Sequence, residues 1–124
     1  MEVIQSVPTI NERQQIPKVV IRQMVQSIAD RLAPQRIILF GSYAAGSERP
    51  ESDVDLLIII ETDRRESDVA MEIRRWLQPQ FALDLVAITP DRLKQRIAWG
   101  DSFLRGILQQ GVVLYESVDA RVTG

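Results

Sequence analysis

Two aspartates stand one residue apart at the start of an aliphatic run: Asp53 and Asp55 lead into LLIII at 56–60. Such a run predicts a buried strand, and along a strand residues i and i+2 point to the same face. Two carboxylates about 4 Å apart repel each other by about 4 kcal/mol at an effective dielectric near 20. The pattern therefore predicts a bound cation beside Asp53 and Asp55.

A third carboxylate, Asp84, is the only charged residue within the apolar run FALDLVAIT at 81–89. Neighbouring strands lie about 4.8 Å apart, so Asp84 can reach the face that carries the aspartate pair. The chain has no histidine and no cysteine, which excludes histidine-ligated zinc, thiol catalysis, a Ser-His-Asp triad and disulfides. An all-oxygen site suits Mg2+ or Mn2+, and two such ions can be bridged where phosphate oxygens also enter.

A phosphate site is predicted by Gly41 and Ser42, which directly follow the apolar run RIILF at 36–40. Glycine lets the backbone approach a ligand closely, and a serine that opens a short helix offers its hydroxyl and nearby N–H groups to an anion. The positive end of that helix, from Ser42 to about Gly46, then points at the phosphate. We therefore expect the aspartates to hold metal and Gly41 and Ser42 to hold a triphosphate.

Each of these features alone has a more ordinary explanation. A Gly-Ser pair is a common turn and helix cap, Ser52 and Asp53 suit the end of a loop, and Asp84 could be a buried aspartate paired with an arginine. Their order favours the chemical interpretation: a strand, Gly-Ser, a ten-residue spacer, Asp-x-Asp on a second strand and a lone aspartate in a third. Turn chemistry does not explain that order.

The elements that must position these residues follow from hydrophobic periodicity. Helices are predicted from Pro17 to before Pro34, for about 12 residues ending near Leu77, over 90–98 and over 101–110. Strands are predicted at 36–40, 53–60, 81–89 and 112–116, the last of them at an edge. Asp63 and Glu66 are spaced like a capping box for the second helix.

These elements predict one α/β domain over 17–116, with a small mixed β-sheet and flanking helices. Residues 1–16 carry no sustained period and predict a loose arm, and 117–124 predict a frayed tail. Trp99 and Phe103 are large apolar residues near a predicted helix break. An exposed patch there would suit a partner protein, although core packing is the simpler interpretation.

The composition of the sequence argues against a membrane segment and a signal peptide. The sequence contains no run of 18 uncharged apolar residues, and its N-terminal stretch has neither the basic nor the apolar region of a signal peptide. We therefore expect a cytoplasmic protein without a membrane segment. The net charge of -2 and the pI of about 5.2 argue against sequence-independent binding to long nucleic acid, which needs a basic surface.

The order of the motif resembles that of the DNA polymerase β-like nucleotidyltransferase superfamily. The residues that carry the resemblance are Gly41 and Ser42, the ten residues 43–52, Asp53-Val54-Asp55, and Asp84. The short length is similar to that of the minimal nucleotidyltransferase (MNT) domains, many of which pair with HEPN-domain toxins. The resemblance covers roughly 20–116 and includes ILQQGVVLYE, which is similar to the C-terminal end of such domains.

The resemblance implies a reaction that the residues also permit. Asp53 and Asp55 would ligate two Mg2+ ions, and Asp84 would hold the ion nearer the acceptor and take the acceptor's proton. Ser42 and the Gly41 backbone would bind the β- and γ-phosphates of ATP. An acceptor hydroxyl would then attack the α-phosphorus in line, and pyrophosphate would leave.

The resemblance also implies a partner, a HEPN-type RNase toxin that is neutralised by transfer of AMP to the hydroxyl group of a tyrosine. The two proteins would form a hetero-oligomeric, type VII-like toxin-antitoxin pair. Two alternatives stay open. The chain could neutralise the toxin by contact without transferring anything, or it could modify a small molecule as the aminoglycoside-modifying nucleotidyltransferases do. The clustered acids favour an enzyme, since a purely steric antitoxin has no need of carboxylates that repel one another.

Overall fold

A computed structural model describes residues 15–123 of the chain, with the backbone alone for 121–123. The helices are α1 (Lys18–Leu32), α2 (Ser42–Ala45), α3 (Glu66–Leu77), α4 (Pro90–Ala98), α5 (Ser102–Gln110) and α6 (Val118–Thr123). The strands are β1 (Arg36–Phe40), β2 (Val54–Ile59), β3 (Leu83–Ile88) and β4 (Val112–Glu116). The helices and strands predicted between residues 17 and 116 are confirmed, and the predicted strand ends shift by one or two residues.

The four strands form one mixed sheet in the order β3-β2-β1-β4. β1 runs antiparallel to both of its neighbours, β2 and β4. β2 and β3 are parallel, and α3 provides the crossover that a parallel pair needs. The predicted α/β class with a small mixed sheet is therefore confirmed, as is the edge position of β4.

The central strand β2 is buried on both of its faces, which explains its unbroken aliphatic sequence. Leu56 and Ile58 pack into the core formed with α1 and α3. Leu57 and Ile59 pack into a second core formed with α5 and partly with α4. Two layers of helices therefore enclose the sheet, and each residue of β2 is assigned to one layer by its parity.

Helix α3 holds the edge strand β3 at both of its ends. Near the start of β3, the Arg74 Nη1 atom donates a hydrogen bond of 2.7 Å to the main-chain oxygen of Leu83. Just after β3, the Thr89 N–H donates one of 2.9 Å to the Glu66 carboxylate. The predicted capping box is wrong, since α3 begins after Arg65 without a side-chain cap. Glu66 instead serves this tertiary contact.

The ends of the domain are tied to the sheet. Most of the predicted arm, 1–16, lies outside the described residues, but the Ile16 N–H donates to the Tyr43 hydroxyl at 3.0 Å. The predicted frayed tail is corrected, because residues 118–123 form helix α6. The Ser117 hydroxyl accepts from the Ala120 N–H at 3.1 Å, and Ala120 is buried. The Ser117 cap and the burial of Ala120 together order the start of α6.

Among the described residues, no helix has both the length and the apolar character that crossing a membrane requires.

Removing the Arg74 anchor tests how firmly β3 is held. In Arg74→Met the Leu83 oxygen loses a charged donor, and we expect the free energy of unfolding to fall by about 1–2 kcal/mol, since the bond is only partly buried. Urea denaturation measures the change. Arg75→Met, at the exposed neighbouring position on α3, should change the midpoint little. Equal losses in the two variants would show that the bond does not hold the strand.

Candidate active site

Strand pairing places the predicted site residues side by side across three strands. In the sheet Asp55 is paired with Phe40 of β1 and with Asp84 of β3. Leu56 and Leu85 belong to the core under α1 and α3, so Asp55 and Asp84 point to the opposite face, the one that α4 and α5 partly cover. The sequence-predicted meeting of these two carboxylates on one face is therefore seen in the sheet.

The pKa of Asp55 reports how crowded these carboxylates are. It is raised from 3.8 to about 6, first by burial, then by the charges of Asp84 and of Asp53, and last by a side-chain hydrogen bond with Asp84. Asp84 and Asp53 are themselves exposed. Asp55 is thus the member of the group that water reaches least, and burial and the neighbouring charges make it release its proton at a higher pH than a free carboxyl group does.

Gly41 lies against the Asp55 carboxylate. Its φ of 75° and ψ of -153° fall in a region that is essentially restricted to glycine. A Cβ atom added at Gly41 would stand 2.3 Å from Asp55 Oδ2, well inside van der Waals contact. Glycine is therefore required here twice, by the backbone conformation and by the approach of the carboxylate.

Ser42 opens α2 directly beside this contact. The N–H groups of Ala44 and Ala45 donate to the Gly41 oxygen at 3.2 and 3.1 Å, which closes the first turn. The N–H groups of Ser42 and Tyr43 come before that turn, where a helix leaves its donors without intrahelical partners. The Ser42 hydroxyl and these donors are therefore available to an anion next to the acidic group.

Asp53 is placed less centrally than the sequence predicts. It precedes β2, which begins at Val54, and it is exposed. Its charge contributes to the raised pKa of Asp55. Across residues 15–123, however, no three acidic side chains are arranged to hold one metal ion. The structure brings Asp55, Asp84 and Gly41 together and leaves Asp53 beside them.

The chemistry of these carboxylates still fits a hard divalent cation. In the part of the chain that the structure describes, the ion pairs involve other acids: Glu116, Glu72, Asp68, Glu66 and Asp101. No arginine or lysine there pairs with Asp53, Asp55 or Asp84. Carboxylate oxygens without a cationic partner are the ligands that Mg2+ and Mn2+ prefer.

A cleft of about 550 Å3 opens beside the Gly41-Ser42 turn. Its opposite wall is α5, through Phe103, Gly106 and Gln110. The Phe103 ring meets the Phe40 ring edge to face, with centroids 5.7 Å apart. Core packing, the simpler sequence interpretation for Trp99 and Phe103, is wrong, since their exposed fractions are 72% and 56%. Sequence periodicity alone does not show this wall, because it depends on how α5 crosses the sheet.

The chain matches the family model described as "Nucleotidyltransferase domain" over residues 21–114. It is 36% identical over 83 residues to "Putative protein adenylyltransferase MJ0604" of Methanocaldococcus jannaschii, a match that covers 65% of this chain and 78% of that protein. The chain therefore belongs to the nucleotidyltransferase domain family, in agreement with the resemblance found in the sequence.

Two solved structures match this chain. One is described as "a putative nucleotidyltransferase from Sulfolobus solfataricus", with a TM-score of 0.56 and 17% identity over 79% of this chain and 78% of that one. The other is a toxin-antitoxin with AMP-PNP, with a TM-score of 0.48 and 19% identity over 82% of this chain and 78% of that one. At these identities the first likeness concerns the fold alone.

Two glycine variants test how strongly position 41 requires glycine. Gly41 and Gly46 have nearly equal φ values of 75° and 74°, but a Cβ at Gly46 meets nothing within 4 Å. We expect Gly46→Ala to lower the free energy of unfolding by about 1–2 kcal/mol through strain. Gly41→Ala should cost clearly more, because its ψ of -153° lies in a region that alanine avoids and because Asp55 must also move. Urea denaturation gives both values, and equal losses would contradict the contact.

The raised pKa of Asp55 makes stability depend on pH. Between pH 4 and 6 the folded chain keeps a proton that the unfolded chain has lost, so with EDTA present the free energy of unfolding should fall as pH rises through this window. Asp55 is half-exposed, so we expect about 1 kcal/mol, less than the roughly 3 kcal/mol of two pKa units. Asp55→Asn should abolish the fall.

Denaturation curves at several pH values measure this effect. The control is Asp63→Asn, which removes an exposed carboxylate before α3 and should keep the wild-type pH dependence. If wild type and Asp55→Asn lose stability in parallel between pH 4 and 6, Asp55 is not the responsible group.

Proposed function

We propose that this chain transfers AMP from ATP to a hydroxyl group of a partner protein, with Mg2+ as cofactor. The observation that carries the proposal is the contact of Gly41 with Asp55, whose carboxylate is hydrogen-bonded to Asp84. It joins anion donors and cation ligands in one place, as a metal-nucleotide complex requires. Membership of the nucleotidyltransferase domain family supports the same reaction.

The Gly41-Ser42 turn would bind the β- and γ-phosphates of ATP. The absence of a side chain at Gly41 lets the Asp55 carboxylate lie against the backbone of the turn, and the Ser42 hydroxyl lies at the start of α2. The cleft beyond this turn gives the phosphate end of the nucleotide room and a route for pyrophosphate to leave. These groups bind and orient the triphosphate, and orientation is a large part of catalysis in such transfers.

Asp53, Asp55 and Asp84 would hold the divalent cation, with Mn2+ as a substitute for Mg2+. The bound metal supplies charge that stabilises the attacking and leaving oxygens together. Asp53 is the least well placed of the three in the structure, and a rotation of its exposed side chain toward Asp55 would complete the group. A cation bound there would also lower the pKa of Asp55, because it would offset the charges of Asp84 and Asp53.

Asp84 is the carboxylate best placed to serve the acceptor. It is exposed on the edge strand β3, so an incoming hydroxyl can reach it from solvent. In the transfer step the acceptor oxygen forms a bond to the α-phosphorus while the bond from that phosphorus to the bridging oxygen of pyrophosphate breaks. The hydroxyl proton passes to Asp84, and pyrophosphate leaves with the electron pair.

The acceptor we propose is a tyrosine of a HEPN-family toxin, which the transfer would inactivate, so that the chain acts as an antitoxin. The support is the resemblance of its motif and length to the MNT domains. The name of the Methanocaldococcus jannaschii relative, "Putative protein adenylyltransferase MJ0604", supports a protein rather than a small molecule as the acceptor.

A contact-only antitoxin is the second candidate. It is favoured by one observation, the lack of a ready three-carboxylate metal site in residues 15–123. Against it stands Gly41, whose strained backbone and contact with Asp55 bring no benefit to a surface that only binds.

Label transfer separates these candidates. The chain, Mg2+ and α-labelled ATP are mixed with the protein encoded by the neighbouring gene, which we test as the proposed HEPN protein, and label on that protein is measured after electrophoresis. We expect transfer from α-labelled but not from γ-labelled ATP, loss with EDTA, and recovery with Mg2+ or Mn2+. Asp55→Asn and Asp84→Asn should each lower the rate by at least about 100-fold, while Asp63→Asn should not.

Binding without transfer would favour the contact-only candidate. Tight binding of the HEPN protein that survives Asp55→Asn, without any label transfer by the wild type, would mean that the chain acts by contact alone.

A further inference from the structure

Two large aromatic side chains are exposed where α4 meets α5. Trp99 ends α4 and has an exposed fraction of 72%, and Phe103 lies in the first turn of α5 with 56%. We call this pair the turn aromatics. Aromatic side chains this exposed are common at the centres of protein interfaces, where each buries a large area at a small entropy cost.

The turn that presents them is fixed by several hydrogen bonds. Arg96 donates to the Asp101 carboxylate from two nitrogens, at 3.0 and 2.7 Å. The other oxygen of Asp101 accepts from the Leu104 N–H at 3.0 Å, which caps α5. Gly100, with φ of 88°, lets the chain reverse between the helices. Because the turn is already ordered, docking on the turn aromatics requires little further loss of conformational entropy.

The turn aromatics stand next to the candidate active site. Helix α5 covers the same face of the sheet that carries Asp55 and Asp84. Phe103 lines the cleft that runs to Gly41 and Ser42, and its ring contacts Phe40, the residue paired with Asp55. A protein seated on this surface therefore lies within reach of the transferred group.

The charge around this surface differs in sign from that of the whole chain. Residues 90–110 contain four basic and two acidic residues, whereas the chain as a whole has a net charge of -2. Arg96 is neutralised by Asp101. Lys94 and Arg105 are exposed, and neither forms an ion pair with a described residue. The unpaired charges suit carboxylates on a partner.

From these observations we infer that the turn aromatics are the docking surface for the acceptor protein, whose matching surface is an apolar socket with acidic side chains at its rim. This inference rests on the proposed transfer to a protein. Single-stranded RNA also stacks on aromatic residues, but the excess of two positive charges is small for a nucleic-acid site. Protein is therefore the occupant that the surface fits best.

The test compares exposed apolar residues on opposite sides of the molecule. Trp99→Ala and Phe103→Ala are compared with Met71→Ala, a control on α3 whose exposed fraction of 58% matches that of Phe103. The probe is the protein encoded by the neighbouring gene, tested as the proposed HEPN protein, and binding is measured by calorimetry without nucleotide. We expect Trp99→Ala and Phe103→Ala each to weaken binding by at least about 30-fold, as interface hot spots do. Met71→Ala should bind as the wild type does.

Separate readouts keep the docking surface distinct from the chemistry. Trp99→Ala should bind the magnesium complex of a non-hydrolysable ATP analogue like the wild type, so that its loss of label transfer reflects docking alone. If the wild type binds the HEPN protein through the turn aromatics but transfers no label, the docking surface holds and the proposed reaction fails. If label transfer occurs and Trp99→Ala and Phe103→Ala bind and transfer normally, the inference is overturned and the reaction stands.

Three further outcomes would also overturn the inference. The wild type could fail to bind the HEPN protein, or it could bind a single-stranded RNA oligonucleotide in a way that Trp99→Ala abolishes. The chain could also form a concentration-dependent dimer that Trp99→Ala dissociates. Light scattering at several concentrations detects the dimer. Charge gives an independent check, since Lys94→Glu should slow association with the HEPN protein and reduce its dependence on salt.

Discussion

The close approach of the Gly41 backbone to the Asp55 carboxylate is the constraint on which the site depends. β1 and β2 are antiparallel, so the end of β1 lies beside the start of β2. The Gly41-Ser42 turn, the predicted phosphate site, is therefore in contact with the Asp55 carboxylate. Any side chain at position 41 would separate them. The cost appears in Asp55 itself, whose pKa rises to about 6 because burial and two like charges oppose its ionisation.

The two-sided burial of β2 decides where this group faces. Since Leu56 and Ile58 enter one core, Asp55 must share the other side with Leu57 and Ile59. The parallel pairing of β3 then brings Asp84 to the same side. On that side α4 and α5 cover the sheet only in part, so the carboxylates remain open to solvent. Hydrophobic burial thus fixes the direction of charged side chains that contribute nothing to the core.

Much of this could be predicted from the sequence because it follows from short-range spacing. The spacing of Asp53 and Asp55 reflects the strand period of two residues, and Gly41 and Asp84 are recognised by their positions at the end of one apolar run and inside another. What the sequence did not predict depends on contacts between distant segments. Glu66 accepts a hydrogen bond from the Thr89 N–H instead of capping α3, and helix α6 is ordered by the burial of Ala120. The exposure of Phe103 likewise depends on how α5 crosses the sheet.

The hydrogen bond from Arg74 of α3 to the start of β3 affects which changes of length the connection between them can tolerate. Residues 78–82 connect α3 to β3, and Arg74 reaches across this connection to Leu83, the residue before Asp84. Because a side chain and not the length of the connection sets the start of the strand, inserted residues can bulge outward without changing its pairing with β2. A deletion has no such freedom, since a shorter connection would pull β3 out of register and turn Asp84 toward the core.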